Sequence, residues 1–164
     1  FERNTDRDFQ VETNAGTIIG TDEDNHYSFK GIPYARPPVG DLRWRAPRDL
    51  PRSDEPIYAI EYKSSCVQPG DGSLSLGSSR KIYSGNEDCL YLNVFVPQNQ
   101  TQFDKNNFPV MFWIHGGANI FGAGSQYDFS ALATSQQVII VTMNYRLGVF
   151  GWFTSNHLRD TSLS

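Results

Sequence analysis

The sequence predicts an α/β protein built on a mixed sheet, and three observations carry that reading. Short β-rich runs separated by turn signals fill the first part of the chain. The second part runs strand, helix, strand. Its last strand, Gln137 to Met143, is rich in Val and Ile, without the polar–apolar alternation of a half-exposed sheet, as expected where both faces are covered.

Each element follows from local chemistry. Residues 1–8 are charged and expected to fray. Residues 9–13 and 16–20 flank the turn signal Asn14-Ala15-Gly16, and residues 26–31 read as a third short strand. The Gly31–Gly40 stretch that follows holds Pro33, Pro37 and Pro38, which exclude helix. Residues 41–65 read as loop. Residues 67–88 form a Gly/Ser-rich segment between the two cysteines. Leu90 to Val96 is an alternating strand ended by Pro97. Pro109 to Ile114 is an apolar strand that stops at a glycine turn. Tyr127 to Ser135 can form a helix packed through Leu132, and Gln137 to Met143 is a buried strand. The segment after Phe153 is polar and has no stop element, so the chain is expected to end inside a fold.

Composition narrows the function classes. The 164 residues carry a net charge of −4 and no basic stripe, so a nucleic-acid partner is not expected. No apolar run approaches the length of a membrane span. The first residue is Phe1 and no signal-like apolar segment follows, as in a chain whose leader was removed or one that begins late. The two cysteines, Cys66 and Cys89, fit either one disulfide or two buried thiols. The sequon Asn99-Gln100-Thr101 lies in a polar stretch and marks Asn99 as a glycan acceptor. A disulfide and a sequon both favour the secretory compartment.

His115-Gly116-Gly117-Ala118 is the segment most suited to chemistry. Acyl transfer places negative charge on a carbonyl oxygen, and backbone N–H groups aimed at that oxygen stabilise it. A turn with that task needs small residues, because side chains would block the substrate. Gly117 and Ala118 meet that need. A tight turn without a ligand would have the same composition, but the preceding apolar strand and the following Gly122-Ala123-Gly124-Ser125 make a backbone-lined concavity at a strand's carboxyl end. His115 lies inside the turn and is read as structural. His26 and His157 have no partner signal. Gly122-Ala123-Gly124-Ser125-Gln126 fails the Gly-x-Ser-x-Gly elbow at its last position. Neither His-x-x-x-His nor Cys-x-x-Cys occurs, and no cofactor is implied. Arg43 and Glu87 stand on constrained backbone, beside a Pro-rich segment and a cysteine. Arg146, between Tyr145 and Leu147 after a buried strand, is expected to need an acidic partner, within or beyond these residues.

Taken together, these segments resemble the type-B carboxylesterase and cholinesterase family of the α/β-hydrolase fold. The matching pieces are Gly31-Ile32-Pro33-Tyr34-Ala35 with Pro37-Pro38-Val39-Gly40, Leu42-Arg43-Trp44, and Glu87 to Pro97. His115-Gly116-Gly117-Ala118 and Asn144 to Gly151 complete the set. The resemblance covers nearly the whole chain. It implies a central mixed, mostly parallel sheet, a Cys66–Cys89 disulfide loop and an interior Arg43–Glu87 salt bridge beneath it. Gly117 and Ala118 would supply two of three oxyanion N–H groups. The nucleophilic serine, its acid and its histidine would all follow residue 164. Residues 1–164 would then be the amino-terminal segment of one hydrolase domain, completed by the remaining carboxyl-terminal part of the fold, which stands as its partner.

The implied activity is serine-dependent hydrolysis of small uncharged carboxylic esters by a secreted protein. The competing reading is a catalytically inactive relative used for adhesion, or for binding an apolar ligand or pigment. Three departures from the family pattern bear on substrate. Ala118 stands where glycine is frequent, yet keeps its N–H. Asn119 stands where an aromatic is frequent and makes that wall more polar. Residues 67–88 hold no tryptophan, and Tyr83 is their single aromatic, so a choline ester is a poor fit.

Overall fold

The computed structural model describes residues 8–70, 83–98 and 108–156. The charged start, most of the inter-cysteine loop, Asn99, His157 and the polar end lie outside them.

The sheet grows from tight turns. β1 (Asp8–Thr13) and β2 (Gly16–Glu23) are joined by Asn14-Ala15, and β2 and β3 (His26–Pro33) by Asp24-Asn25. Two-residue connections allow only antiparallel pairing, and both pairs are antiparallel. β3 pairs antiparallel with β7 (Tyr91–Pro97), and β7 with β9 (Ile139–Met143). The two-residue β4 (Ile57–Tyr58) lies parallel to β2. β8 (Val110–Ile114) is parallel to β9, reached through the crossover helix α1 (Ser130–Gln136). The strand order is β1-β2-β3-β7-β9-β8. The sheet is therefore mixed, but in the described residues it is mostly antiparallel, not mostly parallel. The parallel pairs are β2–β4 and β8–β9, the latter because the α1 crossover returns the chain in the same direction.

The other differences from expectation are local. β3 runs on to Pro33 through a bulge between Lys30 and Ile32. Gly31 sits in the bulge at φ +82, and its N–H is held by the buried Asn93 side chain, whose amide also donates to Thr142. α1 starts at Ser130, later than the sequence suggested, after a turn in which the Asp128 carboxylate accepts the Ser130 N–H at 2.9 Å. That bond holds the Asp128 carboxyl below its ordinary pKa. The helix packs through Ala133, 0% exposed, while Leu132 is 39% exposed. Gln137 is left-handed at φ 50 and ends the helix, so β9 begins only at Ile139. β9 does alternate: Ile140 and Thr142 are buried and their neighbours are half-buried. One face packs on Phe95, Ala133 and Val138; nothing among the described residues closes the other to the same degree.

Three features were not expected, the first being β4, which lies in the stretch 41–65 read as loop. β5 (Gln68–Pro69) and β6 (Tyr83–Ser84) pair antiparallel at the base of the inter-cysteine loop. α2 (Gly148–Trp152) is a short helix inside the stretch that carried part of the resemblance. No helix of the described residues is long and apolar enough to cross a membrane.

Candidate active site

Cys66 and Cys89 are joined by a disulfide with Cα atoms 4.9 Å apart. Both are buried in a cluster with Ala35, Leu90 and Leu147, so the bond is also core packing. Arg43 lies beside it and donates through Nε and Nη2 to the two carboxylate oxygens of Glu87, at 2.5 and 2.6 Å. Their side chains are 39% and 20% exposed, so among the described residues this forked pair lies at the surface edge rather than in the interior. The hydrogen bond to Glu87 raises the Arg43 pKa above its ordinary value. The guanidinium also lies over the rings of Trp44 and Phe150, 5.7 and 5.8 Å from their centroids, which ties it to α2.

Arg146 closes the same region. The expected acidic partner is not found among the described residues, and its Nη1 is buried there without a hydrogen-bond partner. Burial lowers its pKa, while the neighbouring Tyr34 hydroxyl acts weakly the other way.

The glycine turn leaves the carboxyl end of β8. Gly117 (φ +111), Ala118 (φ 54) and Asn119 (φ 60) all have positive φ. The Gly117 carbonyl is turned into the loop, where it accepts from the N–H groups of Ile120 and Phe121 at 2.9 and 3.2 Å. The N–H groups of Gly117 and Ala118 have no acceptor among the described residues. A Cβ at Gly117 would stand 1.9 Å from the Phe121 carbonyl oxygen, so only glycine fits.

Four clamps hold this turn, and none was found from the sequence. Tyr145 donates its hydroxyl to the His115 carbonyl at 2.7 Å. The Gly148 N–H at the start of α2 donates to the Asn119 carbonyl at 2.7 Å. Asn144, buried after β9, accepts the Gly124 N–H at 2.8 Å and donates to the Ser64 carbonyl at 3.0 Å. Gln68 accepts the Gly122 N–H at 2.9 Å and donates to the Gly122 carbonyl at 3.0 Å. The Asn and Tyr of Asn144-Tyr145 were visible as motif letters, but their targets are far away in sequence. An open cleft of about 410 Å³ lies between Gln68, Pro69 and Ser84 on one side and Phe121 to Gln126 on the other.

His115 is structural in this arrangement. It is 2% exposed, and its Nδ1 lies 2.8 Å from the Gly116 carbonyl, which can only accept, so Nδ1 carries the proton. His26 is at the surface against Asn25. Among the described residues no serine hydroxyl bonds a histidine ring, and no group of His, Cys, Asp and Glu could hold a metal ion.

A model of the carboxylesterase family matches residues 7–161. The chain belongs to the carboxylesterase family. It is 48% identical over 144 residues to the para-nitrobenzyl esterase of Bacillus subtilis (strain 168), covering 87% of this chain and 28% of that protein. It is 42% identical over 137 residues to pyrethroid hydrolase Ces2e of Rattus norvegicus, covering 79% of this chain and 23% of that one. A solved structure of a thermophilic PNB esterase superposes with a TM-score of 0.77 at 45% identity, over 90% of this chain and 30% of the other. The fold is that of part of an α/β-hydrolase. The chain spans less than a third of the length of these carboxylesterase relatives.

Proposed function

We propose that the protein is a serine carboxylic ester hydrolase in which this chain supplies the oxyanion turn and the disulfide loop. One observation supports the reading most directly. Gly117 and Ala118 carry adjacent N–H groups with no acceptor among the described residues, on a turn fixed by four clamps. Such donors are already oriented before charge develops on the substrate carbonyl, which is where electrostatic catalysis gains most. The serine that attacks, the histidine that takes its proton and the acid that orients the histidine come from polypeptide beyond residue 164, as in the family pattern. An uncharged ester suits the polar Asn119 and an inter-cysteine segment without tryptophan.

The remainder of the fold is the partner this reading requires. β8 ends the sheet among the described residues, and its Val110, Met111, Phe112 and Ile114 are 50–64% exposed. Apolar side chains on an edge strand call for a neighbour. The Cys66–Cys89 bond and the Asn99 sequon favour a secreted protein. Loss of mass on treatment with an amide-cleaving glycosidase would support a glycan at Asn99, and an unchanged mass would count against it.

The test of the activity is hydrolysis of short-chain aryl esters by the full-length protein, with covalent labelling by a fluorophosphonate. Turnover blocked by the label is expected. Neither turnover nor label would overturn the enzyme reading in favour of a binding protein.

A further inference from the structure

We infer that Gln68 is a positioning residue for the oxyanion turn, setting the direction of the Gly117 N–H through Gly122. The inference rests on the hydrolase reading and adds a residue that the turn's own sequence does not contain.

Gln68 stands two residues after Cys66, on the first strand of the disulfide loop. Its amide makes three hydrogen bonds. Oε1 accepts the Gly122 N–H at 2.9 Å, and Nε2 donates to the carbonyls of Gly122 and Cys66, both at 3.0 Å. The side chain thus pairs with Gly122 as one peptide pairs with another. Turning the amide over would set its oxygen against two carbonyls and its NH₂ against an N–H, so its orientation is fixed. No other side chain of that length offers both a donor and an acceptor at neutral pH.

Gly122 in turn presses on the turn itself. At φ +129 its backbone lies so close that a Cβ would stand 2.1 Å from His115 Nδ1 and 2.7 Å from the Gly116 carbonyl oxygen. That carbonyl accepts from Nδ1 at 2.8 Å. Gly116 C=O and Gly117 N–H belong to one planar peptide and point in opposite directions. Fixing the carbonyl therefore fixes the N–H. The line of contacts runs from the Cys66 end of the disulfide, through Gln68 and Gly122, to the Gly116–Gly117 peptide.

The experiment uses the full-length protein and compares wild type with Gln68→Ala and Gln68→Glu. The readings are kcat and KM for a short aryl ester, and affinity for an aryl trifluoromethyl ketone, whose hemiketal oxygen imitates the oxyanion. In Gln68→Ala, kcat is expected to fall about 10- to 100-fold, with KM changed less than about threefold. Affinity for the ketone should fall in step with kcat. A kcat within about twofold of wild type, even with a lowered Tm, overturns the inference. Should Gln68→Ala not fold, Gln68→Glu decides. Its carboxylate keeps the acceptor but faces two carbonyls, and protonation restores a donor. Its kcat deficit relative to wild type should narrow as pH is lowered; a deficit independent of pH overturns the inference. An active, labelled wild type with an unaffected variant refutes the role of Gln68 alone. A wild type that is inactive and unlabelled refutes the hydrolase reading and this inference with it.

Discussion

Tyr145 lies flat on His115, with ring centroids 4.2 Å apart and planes 15° from parallel, and its hydroxyl donates to the His115 carbonyl at 2.7 Å. One side chain thus holds both the ring and the backbone of the residue that opens the oxyanion turn. The chain places Tyr145 just past β9, so this stack ties the ends of two adjacent parallel strands together.

Tyr145→Phe separates the two roles. The stack survives and the hydrogen bond is lost, leaving a carbonyl with no donor from that side. Stability of the full-length protein should drop by about 1 kcal/mol in denaturant unfolding. Because the ring still packs, kcat should fall less than in Gln68→Ala. A larger loss of kcat than in Gln68→Ala would show that the turn is positioned from the Tyr145 side.

Gly117→Ala and Ala118→Gly form an opposed pair. The first puts a Cβ against the Phe121 carbonyl, a backbone atom that cannot move aside without opening the turn. Its kcat should fall by about 10²–10³, the scale of one lost oxyanion donor. The second keeps the N–H and relieves a left-handed residue at φ 54, so activity should persist. Stability should change by less than about 1 kcal/mol, since glycine also loosens the unfolded chain. Proline cannot serve as the probe at position 118, because its ring requires a negative φ. An active Gly117→Ala variant would remove the turn from the mechanism.

The pair also shows what was legible in the sequence. The turn at Gly117 was readable as a turn, because close backbone approach leaves only glycine there; the oxyanion role of Gly117 and Ala118 is part of the proposal. The longer strands were readable to within a few residues, because apolar runs and turn residues mark them directly, whereas the two-residue β4, β5 and β6 carry no such run. Strand direction was not, since a hairpin and a crossover differ in what joins them rather than in the strands themselves. Gln68 and Asn144 were not readable either. A side-chain amide clamp needs one residue, and its target lies 54 positions away for Gln68 and 20 for Asn144. The exposed Leu132 misled for a related reason: a short helix offers too few residues to decide which face is apolar.

Replacing both Cys66 and Cys89 by alanine should cost roughly 3 kcal/mol, from the entropy of an unclosed loop of sequence separation 23. Non-reducing peptide mapping should find the two cysteines linked in the native protein. Two free thiols titrating without denaturant would remove both the loop closure and the main support for secretion.

Alkaline pH should unfold the protein through two tyrosines. Burial pushes the Tyr34 phenol up to about 12, partly offset by nearby Arg146. Burial and the hydrogen bond to Asp88 push Tyr91 up to about 12. The unfolded chain loses these protons near pH 10 while the folded one retains them. The stabilisation is therefore complete below about pH 10 and is lost as pH rises towards 12. Denaturant unfolding between these limits should show falling stability, with a shallower slope for Tyr34→Phe. The same slope in wild type and in that variant would show that Tyr34 ionises normally.

The last prediction concerns the uncovered edge of the sheet. Val110, Phe112 and Ile114 alternate along β8 with Met111 and Trp113, and all but Trp113 are at least half exposed. An apolar edge strand invites pairing with another chain. Residues 1–164 produced alone should therefore associate, and Phe112→Lys should make them more monomeric by placing a charge on that edge. In the longer polypeptide the same substitution should act in the opposite sense. If further strands and helices cover β8, Phe112 becomes core, and its replacement should cost about 3 kcal/mol or more. Light scattering of the short chain and denaturant unfolding of the long one read the two effects separately. A Phe112→Lys variant that is harmless in the long polypeptide would mean that β8 stays at the edge, and the proposed docking of the remaining fold on this strand would be wrong.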